Sequence, residues 1–192
     1  INECLVRHWP DLQITDMDYV ALQERLHISK DKSPVNFANR ILRRVFTMGS
    51  FEKGGRFYGG WWQNIPSELR RYITIDSKRT CELDYSQLNP HMIYSLAGKD
   101  MGSEDAYSRV FGEKHRDLVK EAFNAMMQAD TGLRTKPRDI DLHNKPFSWK
   151  ELKLAILEVH KPIADMFFTG RGNTLQFKDS QIAEQIMLHY AH

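Results

Sequence analysis

The sequence predicts an α+β fold, and three observations predict it. Apolar residues recur at helical spacing in several stretches, most clearly between Arg116 and Gln128. Between those stretches lies a hairpin pattern, Tyr72-Ile73-Thr74-Ile75 and Thr80-Cys81-Glu82-Leu83, around the polar turn Asp76-Ser77-Lys78. The order is helices, hairpin, helices, rather than the strand–helix alternation of a parallel sheet.

In chain order, Asp16 to Leu26 reads as a short helix. Ser33-Pro34 opens a second, with Ser as N-cap and Pro at the first helical position. Its apolar positions are Val35, Ala38, Ile41, Leu42, Val45 and Phe46, and Gly49 is the expected stop. Phe51 to Trp62 holds two Gly-Gly pairs, too much glycine for a stable helix. After the hairpin, a helix is expected from Pro90 to about Ala97 with Asn89 as its N-cap. Arg116 to Gln128 places Val119, Ala122, Phe123, Met126 and Met127 on one stripe. Ser148-Trp149-Lys150-Glu151 is a capping box opening another helix, which Pro162 should end or kink. A last helix is expected from Asp179 or Ser180 onward.

The 192 residues suffice for one ordinary domain or two small ones. With 41% hydrophobic and 27% charged residues, the composition excludes a disordered chain. The apolar runs are too short for a spanning helix, so no membrane partner is expected. Ile1-Asn2-Glu3-Cys4 carries no signal-peptide pattern, and we expect a fragment of a longer chain. Cys4 and Cys81 make neither a disulfide framework nor a metal spacing, which points to a reducing, cytoplasmic setting. The net charge of +2 is small, but Arg40, Arg43 and Arg44 cluster, as do Arg70 and Arg71. Each cluster reads either as a solvated face or as a patch for a polyanion.

Three groups of residues carry candidate chemistry. Asp84 follows the second strand pattern and precedes a turn into a helix. There its carboxylate either caps the turn or serves a hard cation that wants oxygen ligands. Upstream, Arg56 and the pair Gln63-Asn64 offer groups suited to phosphates, sugars and base edges, or to bracing a loop. Arg116 and Lys120 stand four apart on one helix face, continued by Asn124 and Gln128. Such a row is either an ordinary solvated face or a grip for a triphosphate.

In this order the motifs resemble family A DNA polymerases over roughly residues 50 to 192. The matching residues are Gly55-Arg56, Gln63-Asn64-Ile65-Pro66, Asp84-Tyr85-Ser86-Gln87, Arg116 with Lys120, and Gln176. The resemblance implies a right-hand polymerase: an antiparallel palm sheet with helices, plus helical fingers. It divides the chain into a primer-template-contacting segment 1–72, palm 73–98, fingers 99–172 and a truncated palm helix 173–192. It implies that Asp84 and the Tyr85 carbonyl bind Mg2+, and that Arg116 and Lys120 hold the incoming triphosphate. Asn89, Asn124 and Gln128 would lie at the nucleotide, and Arg56, Gln63, Asn64 and Gln176 at the DNA primer-template. The implied reaction is in-line attack of a 3′-hydroxyl on the α-phosphate of a deoxynucleoside triphosphate, with two metals about 4 Å apart.

The sequence also departs from that pattern. Asn89 stands where the family has a Glu that helps exclude a ribose hydroxyl. Asn124 and Gln128 replace an aromatic residue and a tyrosine. The second carboxylate, in a His-Asp motif, is expected beyond His192, with Asp179 as a substitute to be weighed. Alternatives are a relative of single-subunit phage-type RNA polymerases and an inactive nucleic-acid-binding module of the same fold.

Overall fold

A computed structural model describes residues 1–7, 12–14, 21, 24 and 35–190, apart from the side chain of Glu68. The described chain is mixed α and β, with two small sheets and several helices. In order, it forms α1 (Asn2–Arg7), β1 (Leu12–Ile14), β2 (Arg43–Thr47), β3 (Ser50–Tyr58), α2 (Ser67–Arg70), β4 (Ile73–Ile75) and β5 (Lys78–Arg79). Helices α3 (Leu88–Leu96), α4 (Ser108–Phe111), α5 (Arg116–Gln128), α6 (Trp149–Val159) and α7 (Gly172–Tyr190) follow. Short 3-10 turns cover Trp61–Asn64, Glu113–His115 and Lys161–Met166. Of the helix expected over Asp16–Leu26, Ala21 and Glu24 alone are among the described residues. Ser33 and Pro34 also lie outside them.

The chain divides into two compact units. One comprises Ile1–Phe46, Gly55–Asp84 and Ser180–His192; the other comprises Thr47–Gly54 and Tyr85–Asp179. The units interleave along the sequence.

In the first unit, β4 pairs antiparallel with both β1 and β5, giving the order β1-β4-β5. Asp76 and Ser77 have φ of 54° and 60°, so a tight two-residue turn joins β4 to β5. This corrects the expected second strand: β5 is Lys78–Arg79, not Thr80–Leu83. The short turn starts the return strand at once, and the three residues of β4 are matched by Thr80, whose Oγ1 donates to the Ile73 carbonyl at 2.9 Å. The core of this unit is Val35, Trp61, Ile65, Leu69 and Ile73.

The helix expected over Ser33–Gly49 is absent across its described part. Val35 to Leu42 is irregular and Arg43–Thr47 is strand β2. Two local causes are visible. The Asn36 side chain accepts from the Ala38 amide at 3.0 Å and its carbonyl from the Asn39 amide at 3.0 Å, a turn that competes with helix. Met48 and Gly49, at φ of 53° and 63°, form a two-residue hairpin turn that commits the preceding residues to pairing with β3. Gly49 therefore turns a hairpin instead of ending a helix. Arg44 braces this region: its Nε donates to the Gly55 carbonyl at 3.0 Å, Nη2 to Ser180 Oγ at 2.7 Å and Nη1 to Glu184 at 3.1 Å.

In the second unit, α5 forms over the expected residues, and Val119, Ala122, Phe123, Met126 and Met127 are all buried. They enter a core with Ile93, Tyr94, Leu152, Ile156, Ile163 and Phe167, among others. The capping box at α6 is formed both ways: the Ser148 amide donates to Glu151 at 2.7 Å, and the Glu151 amide donates to Ser148 Oγ at 3.3 Å. Helix α6 ends at Val159 and Pro162 lies in the following 3-10 turn, as expected. Helix α7 begins at Gly172, not at Asp179 or Ser180. A Cβ on Gly172 would stand 2.4 Å from Cδ of Gln128, the end of an exposed side chain that can turn aside. Asp179 is accordingly interior to α7 and is no N-cap.

Candidate functional site

In the first unit, Arg56 is exposed on β3, and Gln63 and Asn64 are exposed at the 3-10 turn after it. The Gln63 amide works on its own backbone. Its Oε1 accepts from the Gly59 and Gly60 amides at 3.0 and 3.2 Å, and its Nε2 donates to the Phe57 carbonyl at 2.9 Å. This amide closes the turn between β3 and the buried Trp61. Gly59 has φ of 121°, and a Cβ on it would stand 2.4 Å from the Ile41 carbonyl oxygen, so glycine is required there.

Asp84 is exposed and is not at the end of a strand, which corrects its expected setting. Pairing ends near Thr80, and Cys81–Tyr85 runs on as an irregular, exposed stretch. Leu83 and Tyr85 are also exposed. A pocket of about 880 Å3 in this unit is lined by Leu42, Trp62, Gln63, Arg70, Ile73 and other residues. Among the expected site residues, only Gln63 lines it.

In the second unit, α3 starts at Leu88, one residue before the expected N-cap. Gln87 takes the cap position in the left-handed region at φ of 56°. Its Oε1 accepts from the Ala106 amide at 2.5 Å, which holds this strained residue in place. Asn89 is thus no N-cap. It lies in the first turn of α3, and its Nδ2 donates to Oδ1 of Asn124 on α5 at 2.8 Å. Two residues expected near the nucleotide are therefore in direct contact.

Arg116, the first residue of α5, is engaged by an acid. Its Nε and Nη2 donate to Asp105 Oδ2 at 3.1 and 2.9 Å. Asp105 Oδ1 accepts from the Tyr107 and Ser108 amides at 3.0 and 2.8 Å, capping the start of α4. Burial pushes the Asp105 carboxyl up, but the hydrogen bonds from Arg116, Ser108 and Tyr107 outweigh it and hold the group below its ordinary value. The pair is about one-quarter exposed on each side, so a competing anion could reach Arg116. Lys120 and Gln128 are exposed on the same helix, Gln128 against Gly172. Gln176, one turn further along α7, is half-buried.

Sequence reasoning missed the polar cluster inside this unit. His160 is fully buried; its Nε2 donates to the Ala106 carbonyl at 2.9 Å, which leaves Nδ1 as an acceptor. Arg109 Nη2 and the Tyr94 hydroxyl each lie 3.0 Å from Nδ1. Burial, and then the Arg109 charge, push the His160 pKa down to about 4, so the ring is neutral near pH 7. No local pattern marks these residues, which stand far apart in sequence.

Among the described residues, no three His, Cys, Asp or Glu side chains come together as a metal site. None of the described helices is long and apolar enough to cross a membrane. Comparison with protein-family models, with characterised proteins and with solved structures found no match.

Proposed function

We propose that this chain is part of a template-directed nucleotidyltransferase resembling family A DNA polymerases, with a palm and fingers, acting in the cytoplasm. The observation that carries the reading is the Asn89–Asn124 hydrogen bond. The helix that follows Asp84-Tyr85-Ser86-Gln87 is joined by it to the helix that bears Arg116 and Lys120, two of the motifs on which the resemblance rests.

In this reading Asp84 and the Tyr85 carbonyl supply hard oxygen ligands for Mg2+. Substrate phosphates and water complete the coordination, as is usual for this ion. The bound metal would lower the charge barrier to attack on the α-phosphate. Lys120 places a mobile ammonium at the triphosphate. Arg116 exchanges its Asp105 partner for phosphate oxygens, a planar fork meeting anionic oxygens in either case. Asn89, held by Asn124, is uncharged where the family has a glutamate, and so presents a smaller barrier to a ribose 2′-hydroxyl. As the resemblance implies, Arg56, Gln63, Asn64 and Gln176 would each contact the primer-template DNA.

The test is primer extension by the full-length protein with deoxy- or ribonucleoside triphosphates. Lys120→Ala should raise the apparent Michaelis constant for nucleotide and slow incorporation, because a triphosphate contact acts in ground and transition states. Preference for ribonucleotides would favour kinship with single-subunit RNA polymerases. Template binding without any incorporation would favour an inactive binding module.

A further inference from the structure

The pocket of about 880 Å3 in the first unit has an aliphatic wall that carries an unbalanced cation. One face of the sheet contributes to it. Leu12 pairs with Ile75 across β1 and β4, and strand alternation puts Ile73 on the same face. Leu5 of α1 and Met187 of α7 extend the wall. Asn2 fastens α1 beside it: its Nδ2 donates to the Leu42 carbonyl at 2.9 Å, and its Oδ1 accepts from the Leu42 amide at 3.0 Å. Ile75 stays 53% exposed although it lines a concavity of ligand size. The charged side chains of the wall are two arginines and one glutamate, Arg70, Arg71 and Glu82. Arg70 donates to the Glu82 carboxylate and to the Ile65 carbonyl. Arg71 meets no carboxylate among the described residues. Its Nη2 donates to the Tyr72 hydroxyl at 2.9 Å, and its guanidinium lies over that ring.

We propose that this pocket binds a single-chain aliphatic molecule with one anionic head group, its chain on Leu12, Ile73, Ile75 and Met187 and its head on Arg71. The wall selects the chain, because covering it takes apolar surface, that of Ile75 above all, out of water. Arg71 selects the head: a planar guanidinium with no acid of its own meets carboxylate or phosphate oxygens as a fork. A cationic head would find only Glu82, which Arg70 already holds. A fatty carboxylate and an alkyl phosphate share this chemistry. The site stands apart from the nucleotidyltransferase reading. Of the residues on which that reading rests only Gln63 lines the pocket, and its amide is engaged with Phe57, Gly59 and Gly60.

Cys4 and Cys81, both free thiols, also line the pocket and can report its occupancy. The experiment is calorimetric titration of the purified protein with decanoate, decyl phosphate and decanol below their aggregation limits. The rate of N-ethylmaleimide labelling at each cysteine is read by mass spectrometry with and without ligand. Saturable one-to-one binding of at least one anion is expected, tighter than that of decanol, with labelling slowed at Cys4 or Cys81. The anion that binds more tightly identifies the head group. Arg71→Ala should weaken the anion about five-fold, the scale of an ion pair within reach of solvent, and leave decanol unchanged. Ile75→Asp should weaken anion and alcohol about ten-fold or more. Lys78→Ala, an exposed charge on β5 outside the wall, should leave affinity unchanged. Thermal melting checks that each variant is folded, and Arg71→Gln and Ile75→Ser replace any that is not. Four results would overturn the proposal: no saturable binding of either anion, decanol bound as tightly as both anions, parental anion affinity in Arg71→Ala or Ile75→Asp, or unchanged labelling at both cysteines with ligand bound.

Discussion

Two stretches of this chain carry the same apolar spacing and fold differently. Val119 to Met127 and Val35 to Phe46 both place apolar residues three and four apart. The first is helix α5, with its whole stripe buried. The second is a turn followed by strand β2, and its Ile41 and Val45 are exposed. The difference lies in what flanks and interrupts each pattern. Between Arg116 and Gln128 there is no glycine, no proline and no β-branched residue other than Val119. In the other stretch Asn36 offers the backbone a competing turn, and Met48-Gly49 sets a hairpin whose partner strand is next in sequence. Helical periodicity decides structure only where no local polar group or tight turn proposes something else.

The largest effect should come from the stripe that folds as read. Phe123 is fully buried, with the rings of Tyr107, His160 and Phe167 at 5.6, 5.1 and 5.0 Å. Phe123→Ala should cost about 3–5 kcal/mol in chemical denaturation. A loss under about 1 kcal/mol would mean that this stripe does not form the core.

A somewhat smaller effect is expected from acid. His160 has a folded pKa of about 4, below the 6.5 of an exposed histidine. The unfolded chain therefore binds the proton first. Stability is fully present above about pH 6.5, falls as the pH drops toward 4, and loses on the order of 3 kcal/mol over that window. Denaturation curves across this range should show the slope in the parent protein, and His160→Gln should flatten it.

The smallest effect belongs to the stripe that does not fold as read. Val45→Ala should cost less than about 1 kcal/mol, since the side chain is 46% exposed on a hairpin. A loss on the scale of Phe123→Ala would break the comparison and place Val45 in a core.

What was legible follows the same division. The α5 stripe and the Ser148–Glu151 capping box depend on residues a few positions apart, and each formed where the pattern put it; the turn expected over Asp76-Ser77-Lys78 formed over Asp76-Ser77, with Lys78 already in β5. Asn89 reads as a cap because Pro90 follows it. The cap falls on Gln87, whose side chain reaches Ala106, a partner that no local window contains. The last helix is expected from Asp179 or Ser180, but it begins at Gly172, seven residues earlier than Asp179. For the candidate site, the residue types were legible and their partners were not. Arg116 meets Asp105, Asn89 meets Asn124, and Gln63 meets its own backbone.

Asp84 carries the central claim, and it is exposed on an irregular stretch where a substitution disturbs no packing. The most direct measurement is primer extension with Mg2+ and deoxynucleoside triphosphates, comparing the full-length protein with its Asp84→Ala variant after both are shown to melt alike. A metal-ligand role predicts that the parent extends the primer and that the variant, equally folded, adds no nucleotide. Extension by Asp84→Ala at the parent's rate would contradict it.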